Sequence, residues 1–113
     1  MNRIYLSPPH IDNQEREKVL ACIESNWISS VGPDITAFEK DVSRYLDVNS
    51  ACALTSGTAA LHMALRVLGI GSEDKVICPS LTFAATSNVV LYENAIPVFV
   101  DVSRKDWVID ISL

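Results

Sequence analysis

The sequence lacks any long apolar run, and its 113 residues include only three cysteines and two histidines. A membrane-spanning helix needs about 20 consecutive apolar residues, so no membrane span is predicted. The opening stretch MNRIYLSPPH has no apolar core of the kind found in secretion signals, and we expect no such signal. The three cysteines favour reduced, packed thiols in a cytoplasmic protein, because they lie far apart in apolar segments: Cys22, Cys52 and Cys78. Without C-x-x-C spacing, and with His10 and His62 isolated, no metal site is predicted.

Positive charge is also scarce. Nine Lys and Arg residues stand against fourteen Asp and Glu residues, which gives a formal net charge of −5 at pH 7. This balance argues against a nucleic-acid-binding groove, which requires a basic surface. Hydrophobic residues make up 49% of the sequence and charged residues 20%, so the chain can bury a core and disorder is not expected. The length corresponds to about one small domain.

The order of hydrophobic patterns predicts an α/β protein. Two amphipathic helices come first, at 12–27 and 34–47. Short apolar strands then alternate with helices: strands at 51–55, 75–79 and 96–102, and helices at 57–71 and 81–94. This alternation is typical of a sheet with parallel strands. We therefore divide the chain into a leading arm with two helices, residues 1–50, and a β-α-β-α-β part, residues 51–113.

Residues at the predicted helix ends have the chemistry of caps and stops. The expected N-caps are Asp12 or Asn13 for the first helix, Asp34 for the second, and Ser80 or Thr82 for the last. The helix that starts at residue 57 is expected to end at Gly69 or Gly71. The sequence closes on DWVIDISL without a stop signal, and three strands make a thin sheet, so we expect the front part of a larger domain.

The turn Ser56-Gly57-Thr58 joins the first predicted strand to a helix. The first turn of a helix carries unpaired N–H groups and a partial positive charge, which favour a phosphate. Gly57 allows a ligand to approach the backbone, and the two hydroxyl groups add donors. The alternative is a plain helix cap, with Ser56 as the N-cap. The motif is neither a P-loop nor a Rossmann fingerprint.

The ends of the next two strands carry further candidates. Phe83 follows the strand that stops at Pro79, where its ring can stack on a flat cofactor. The alternative places Phe83 in the core, as is usual for the residue type. Asp101 ends the third strand at the edge where ligands bind in open α/β sheets, and its alternative is a cap or turn residue before SRKD.

The sequence as a whole resembles the N-terminal part of the DegT–StrS sugar aminotransferases. The resemblance is carried by LSPPH, SNWISSVGPDITAFEKDVSRYL, ALTSGTAALHMALRVLGIGSEDKVICPSLTFAATSNVVLYENAIPVFVDV and WVID, in that order. These are pyridoxal-phosphate enzymes with the aspartate-aminotransferase fold, fold type I, so the resemblance implies the front part of their large cofactor-binding domain. LSPPH is most similar to the subgroup that aminates UDP-linked 4-keto-6-deoxy sugars, as in bacillosamine synthesis.

The resemblance implies roles for particular residues. The cofactor-binding residues would be Ser56, Gly57, Thr58, Ala59 and Phe83, with backbone N–H groups of Thr58 and Ala59 on the cofactor phosphate and the ring of Phe83 on its pyridine. The residues on the substrate or partner-subunit side would be Trp27, Ser29 and Gly32. Asp101 would have a supporting role.

The resemblance also implies an activity: transfer of an amino group, typically from glutamate, to a nucleotide-linked keto sugar in polysaccharide or glycan biosynthesis, by a cytoplasmic homodimer. The family's Schiff-base lysine and its acid on the pyridine nitrogen lie downstream of the matched stretch, and the four lysines here read as solvated: Lys18, Lys40, Lys75 and Lys105. No catalytic residue is therefore expected in this chain, which should be inactive alone. In the family's sheet order, residues 51–55 would have no neighbouring strand here. The alternatives are an inactive pyridoxal-phosphate- or phosphate-binding module, and an unrelated small α/β nucleotide-binding domain.

Overall fold

The computed structural model describes residues 3–5 and 7–112. Its elements follow one another as α1 (Asn13–Glu24), α2 (Pro33–Leu46), α3 (Gly57–Val67), β1 (Lys75–Pro79), α4 (Ala85–Tyr92) and β2 (Ile96–Val100). The chain divides between residues 53 and 54 into two compact units. Within the described ranges, none of the helices has the length and apolar character needed to cross a bilayer.

The first unit contains α1 and α2. As predicted, Asp12 caps α1: its carboxylate accepts from the N–H of Gln14 at 2.8 Å, and Glu15 accepts from the N–H of Asp12 at 2.9 Å. These reciprocal bonds form a capping box. Each satisfies a backbone donor that the first helical turn leaves open.

The predicted cap of α2 is wrong. Gly32 is the N-cap, Pro33 is the first helical residue, and no side chain caps the helix. Proline suits that position because its ring presets a helical φ and it has no N–H to satisfy. Asp34 instead points its carboxylate at α1, where it accepts from the Cys22 thiol at 3.1 Å.

The second unit contains a β-α-β arrangement. β1 and β2 pair in parallel, from Lys75 opposite Ile96 to Pro79 opposite Val100, and α4 connects them. The core is small: Cys78, Val90 and Ala95 are almost completely buried. Partly buried apolar side chains pack against it: Leu65, Ile70 and Val76. The predicted parallel pairing is therefore confirmed for these two strands.

The predicted first strand, 51–55, is not a strand in this structure. A β-strand exists by hydrogen bonding to a neighbour, and no neighbour is present among the described residues. The N–H of Ala53 bonds to the side chain of Glu39 at 2.8 Å instead. The resemblance had already implied that this segment would be left without its partner strand.

Several element ends also differ from the prediction, among them the end of α1, which lies at Glu24 rather than at residue 27. α3 ends at Val67 with Leu68 as its C-cap, and Gly69, one of the two predicted stop residues, follows directly with a φ of +74°. α4 begins at Ala85 without a side-chain cap, so the predicted caps Ser80 and Thr82 are wrong. β2 ends at Val100, two residues early, because residue 102 forms an isolated antiparallel bridge with residue 109.

Candidate functional site

The N-terminus of α3 has backbone donors without a partner among the described residues. The N–H groups of Gly57 and Thr58 have no acceptor within the described residues, whereas the N–H of Ala59 bonds to the hydroxyl of Ser56 at 3.1 Å. A Cβ built on Gly57 would meet nothing within 4 Å. Ser56 thus acts as the plain cap that the sequence offered as an alternative, yet two donors at the positive end of the helix remain available for an anion.

The carboxyl ends of β1 and β2 are joined by a polar side-chain contact. The N–H of Ser80 donates to the carbonyl of Val100 at 2.8 Å, and its hydroxyl donates to Asp101 Oδ1 at 3.1 Å. The same Oδ1 accepts from the N–H of Val102 at 2.8 Å. Asp101 is therefore bonded to the segment that leads from β1 into α4.

Phe83 lies in that segment and is 84% exposed. The alternative that placed its ring in the core is wrong for this chain. Phe83 precedes α4 rather than lying in its first turn, and its carbonyl accepts from the N–H of Thr86 at 3.0 Å. The ring is available for contact with a flat ligand, the role that the resemblance implies.

The structure brings together some of the predicted site residues and not others. Ser80 and Asp101 are bonded to each other, and Phe83 lies three residues after Ser80. No hydrogen bond within the described part of the chain links residues 56–59 to Phe83 or Asp101. Helices α3 and α4 do pack against each other, so both candidate regions belong to one packed unit.

The residues predicted for the substrate side lie in the first unit. The ring of Trp27 packs on Gly32, where an added Cβ would come within 3.2 Å of the indole, and Gly32 has a φ of +153° that side chains rarely adopt. Ser29 accepts from the N–H of Val31 at 3.4 Å. Trp27 and Ser29 line a groove of about 800 Å³ between α1 and α2, together with Lys18.

The sequence analysis did not identify a buried carboxylate in the second unit. Glu93, with a side chain only 5% exposed, accepts from Arg66 at 3.2 Å, and its Oε1 lies 2.6 Å from Nε2 of His62. Oε1 has no partner with hydrogen-bond geometry among the described residues. His62 and Arg66 are four residues apart on one face of α3, and that spacing was the only available signal. The cluster ties α3 to the end of α4.

Two cysteine thiols have a raised pKa, which lowers their reactivity as nucleophiles. The hydrogen bond to Asp34, together with partial desolvation, raises the pKa of the Cys22 thiol. Burial raises the pKa of Cys78. Neither thiol is activated as a nucleophile. Among the residues that the structure covers, no group of His, Cys, Asp and Glu could hold a metal ion.

Comparison with known proteins gives a consistent match. Residues 9–113 match the model of the DegT/DnrJ/EryC1/StrS aminotransferase family. EpsN of Bacillus subtilis, assigned as a pyridoxal phosphate-dependent aminotransferase, is 45% identical over 93% of this chain. GDP-perosamine synthase of Caulobacter vibrioides is 46% identical over 96% of it.

A solved structure shows the same fold. Spr1654 from Streptococcus pneumoniae, assigned as a sugar aminotransferase, superposes in its PMP form with a TM-score of 0.87 at 36% identity over 99% of this chain and 28% of its own. Its PLP form gives a TM-score of 0.81. The predicted fold class is thereby confirmed. The chain spans only 27% of EpsN and 29% of the synthase.

Proposed function

Because this chain belongs to the DegT/DnrJ/EryC1/StrS aminotransferase family, we propose that its complete gene product transfers an amino group, from glutamate, to a nucleotide-linked keto sugar with pyridoxal phosphate as cofactor. The observation in this structure that carries the proposal is the N-terminus of α3, where two N–H groups have no acceptor among the described residues and the space beside Gly57 is open. When bound, the cofactor supplies the electron sink that amino transfer requires. The proposed setting is polysaccharide or glycan biosynthesis in a cytoplasmic homodimer.

The residues present fit the phosphate and the ring of this cofactor. Gly57 and Thr58 would donate their backbone N–H groups to the phosphate. Ala59, predicted as a donor together with Thr58, already donates its N–H to the Ser56 hydroxyl, and this bond would hold the turn. Phe83 would stack on the pyridine ring, since its side chain is free of protein contacts over most of its surface. Asp101 would support the segment that carries Phe83.

The proposed substrate side is the groove lined by Trp27 and Ser29 in the first unit, with Gly32 packed against the indole of Trp27. An indole that is half exposed offers a flat apolar surface to a sugar or a base. The opening LSPPH favours a UDP-linked sugar, whereas the name of the Caulobacter relative carries GDP. Incubation with glutamate and either a UDP- or a GDP-linked 4-keto-6-deoxy sugar distinguishes the two, with 2-oxoglutarate formation as the readout.

A glycine substitution tests the phosphate site directly. Gly57→Ala should leave the apo protein folded, because the added methyl group meets no atom within 4 Å. It should weaken pyridoxal phosphate binding about tenfold or more, because the methyl group would occupy space that the phosphate needs. Gly71→Ala is the matched control, as its Cβ also meets nothing within 4 Å. The binding is followed by absorbance titration of the complete gene product.

Failure of the unaltered protein to take up the cofactor at any concentration would overturn the proposal. If Gly57→Ala and Gly71→Ala bind the cofactor with equal affinity, the phosphate does not bind at the start of α3. Cofactor uptake without 2-oxoglutarate formation from glutamate would leave a binding module rather than an aminotransferase.

A further inference from the structure

The segment between β1 and α4 is anchored at both ends while its aromatic residue is exposed. At the start, Ser80 is bonded to β2 through its N–H and to Asp101 through its hydroxyl. At the end, the carbonyl of Phe83 accepts from Thr86, and the hydroxyl groups of Thr82 and Thr86 lie 2.9 Å apart. Few backbone torsions therefore remain free around a ring that is 84% exposed.

Asp101 is held in the orientation that this anchoring requires. Its Oδ1 accepts from the N–H of Val102, within the same strand end, and from the Ser80 hydroxyl across to the neighbouring strand. The first bond fixes the carboxylate on its own backbone, so the second fixes Ser80 relative to β2. An ionised acceptor makes such a bond stronger than one between neutral groups.

We infer that Ser80 and Asp101 form a positioning pair that holds Phe83 in place for stacking on the cofactor, an inference that rests on the proposed function. An exposed aromatic side chain on a free loop loses conformational entropy when it stacks on a ligand, and that loss weakens binding. A segment that is already ordered before the ligand binds loses less conformational entropy on binding. The pair acts on affinity through Phe83, and neither residue needs to touch the ligand.

The test measures cofactor affinity and apo melting temperature in the complete gene product. Ser80→Ala should raise the dissociation constant for pyridoxal phosphate about three- to tenfold, the range of one lost hydrogen bond. Ser80→Thr keeps the hydroxyl and should restore the affinity. Ser72→Ala is the matched control, since Ser72 is exposed and makes no side-chain hydrogen bond within the described chain. Asp101→Ala removes the same hydrogen bond from its other end and should raise the dissociation constant by a similar factor. If one of the two variants fails to fold, the other still tests the pair.

The decisive comparison repeats Ser80→Ala in a Phe83→Leu background. If the pair acts through Phe83, the loss of the hydroxyl should there change affinity less than about twofold, because additivity fails only between coupled residues. The same three- to tenfold factor in both backgrounds overturns the inference and leaves the proposed function intact. So does a lowered melting temperature with unchanged affinity, which marks a merely structural bond. An unaltered protein that binds no cofactor overturns both.

Discussion

Phe83 exposes most of its ring, so a substitution at this residue can change cofactor affinity without changing the stability of the fold. In the complete gene product, Phe83→Ala should weaken pyridoxal phosphate binding by about 1–3 kcal/mol, the scale of a lost aromatic contact and its burial. The melting temperature should hardly change, because the ring contributes little to the core. Tyr45→Ala, which removes another exposed aromatic ring, is the control. A fall in melting temperature with unchanged cofactor affinity would contradict the stacking role.

Cys22 offers a second residue whose chemistry is set by one neighbour. Asp34 accepts from its thiol and raises the pKa of Cys22, so the reactive thiolate forms only at higher pH. Asp34→Asn removes the negative charge and should move the alkylation profile of Cys22 toward lower pH. Mass spectrometry after timed iodoacetamide treatment at several pH values measures this. Cys52 is the control, because it is exposed and has no bond to Asp34, so its alkylation should be the same in both proteins. An unmoved Cys22 profile would refute the assignment.

At the scale of elements, the buried Glu93 carboxylate joins α3 to α4. Arg66→Ala should destabilise the protein by about 1–3 kcal/mol, because it leaves a buried charge without its hydrogen-bond donor. Arg44→Ala is the matched control: its pair with Asp41 is exposed on both sides and should contribute about 0–1 kcal/mol. Denaturant unfolding measures both variants.

A companion substitution identifies the cause of that loss. Adding Glu93→Gln to Arg66→Ala should recover part of the lost stability, because an amide is less costly to bury than an unpaired carboxylate. If Arg66→Ala is no more damaging than Arg44→Ala, the buried contact does not stabilise the packing of α3 on α4. If Glu93→Gln recovers nothing, the loss comes from the missing contacts of the Arg66 side chain rather than from the buried carboxylate that it leaves unpaired.

At the scale of the whole molecule, each unit buries little. No residue of α1 or α2 is fully buried, and the core of the second unit consists of a few small side chains. We expect the 113-residue chain by itself to bind pyridoxal phosphate poorly and to show no transaminase activity. A partial site offers too few contacts to offset the lost freedom of the ligand. Titration followed by borohydride reduction measures binding, with background from the four lysines; a single saturable site of micromolar affinity would contradict this.

Local sequence patterns predicted the elements whose bonds are local. The N-cap at Asp12 and the presence of helices α1 to α4 follow from neighbours a few residues apart. The parallel pairing of β1 with β2 joins residues 21 apart, and it was predicted from the alternation of strands and helices rather than from a local bond. The start of α4 was wrong because Ser80, a good N-cap by type, bonds to Asp101, 21 residues away in sequence. The start of the second helix was wrong for a similar reason: Asp34 pairs with Cys22 on α1 rather than with its own helix.

The order of the helices α1 to α4 and of the strands β1 and β2, and the cap at the Ser56–Ala59 turn, were determined by the sequence alone, because periodicity, capping and turn chemistry act over a few residues. Tertiary structure decided what depends on a distant partner. Residues 51–55 have strand composition but form no strand, since no neighbouring strand is present among the described residues. Glu93 is buried where α3 packs on α4, and Phe83 is exposed in the segment that leads from β1 into α4. Burial and pairing are properties of the assembled chain, and a local pattern contains neither.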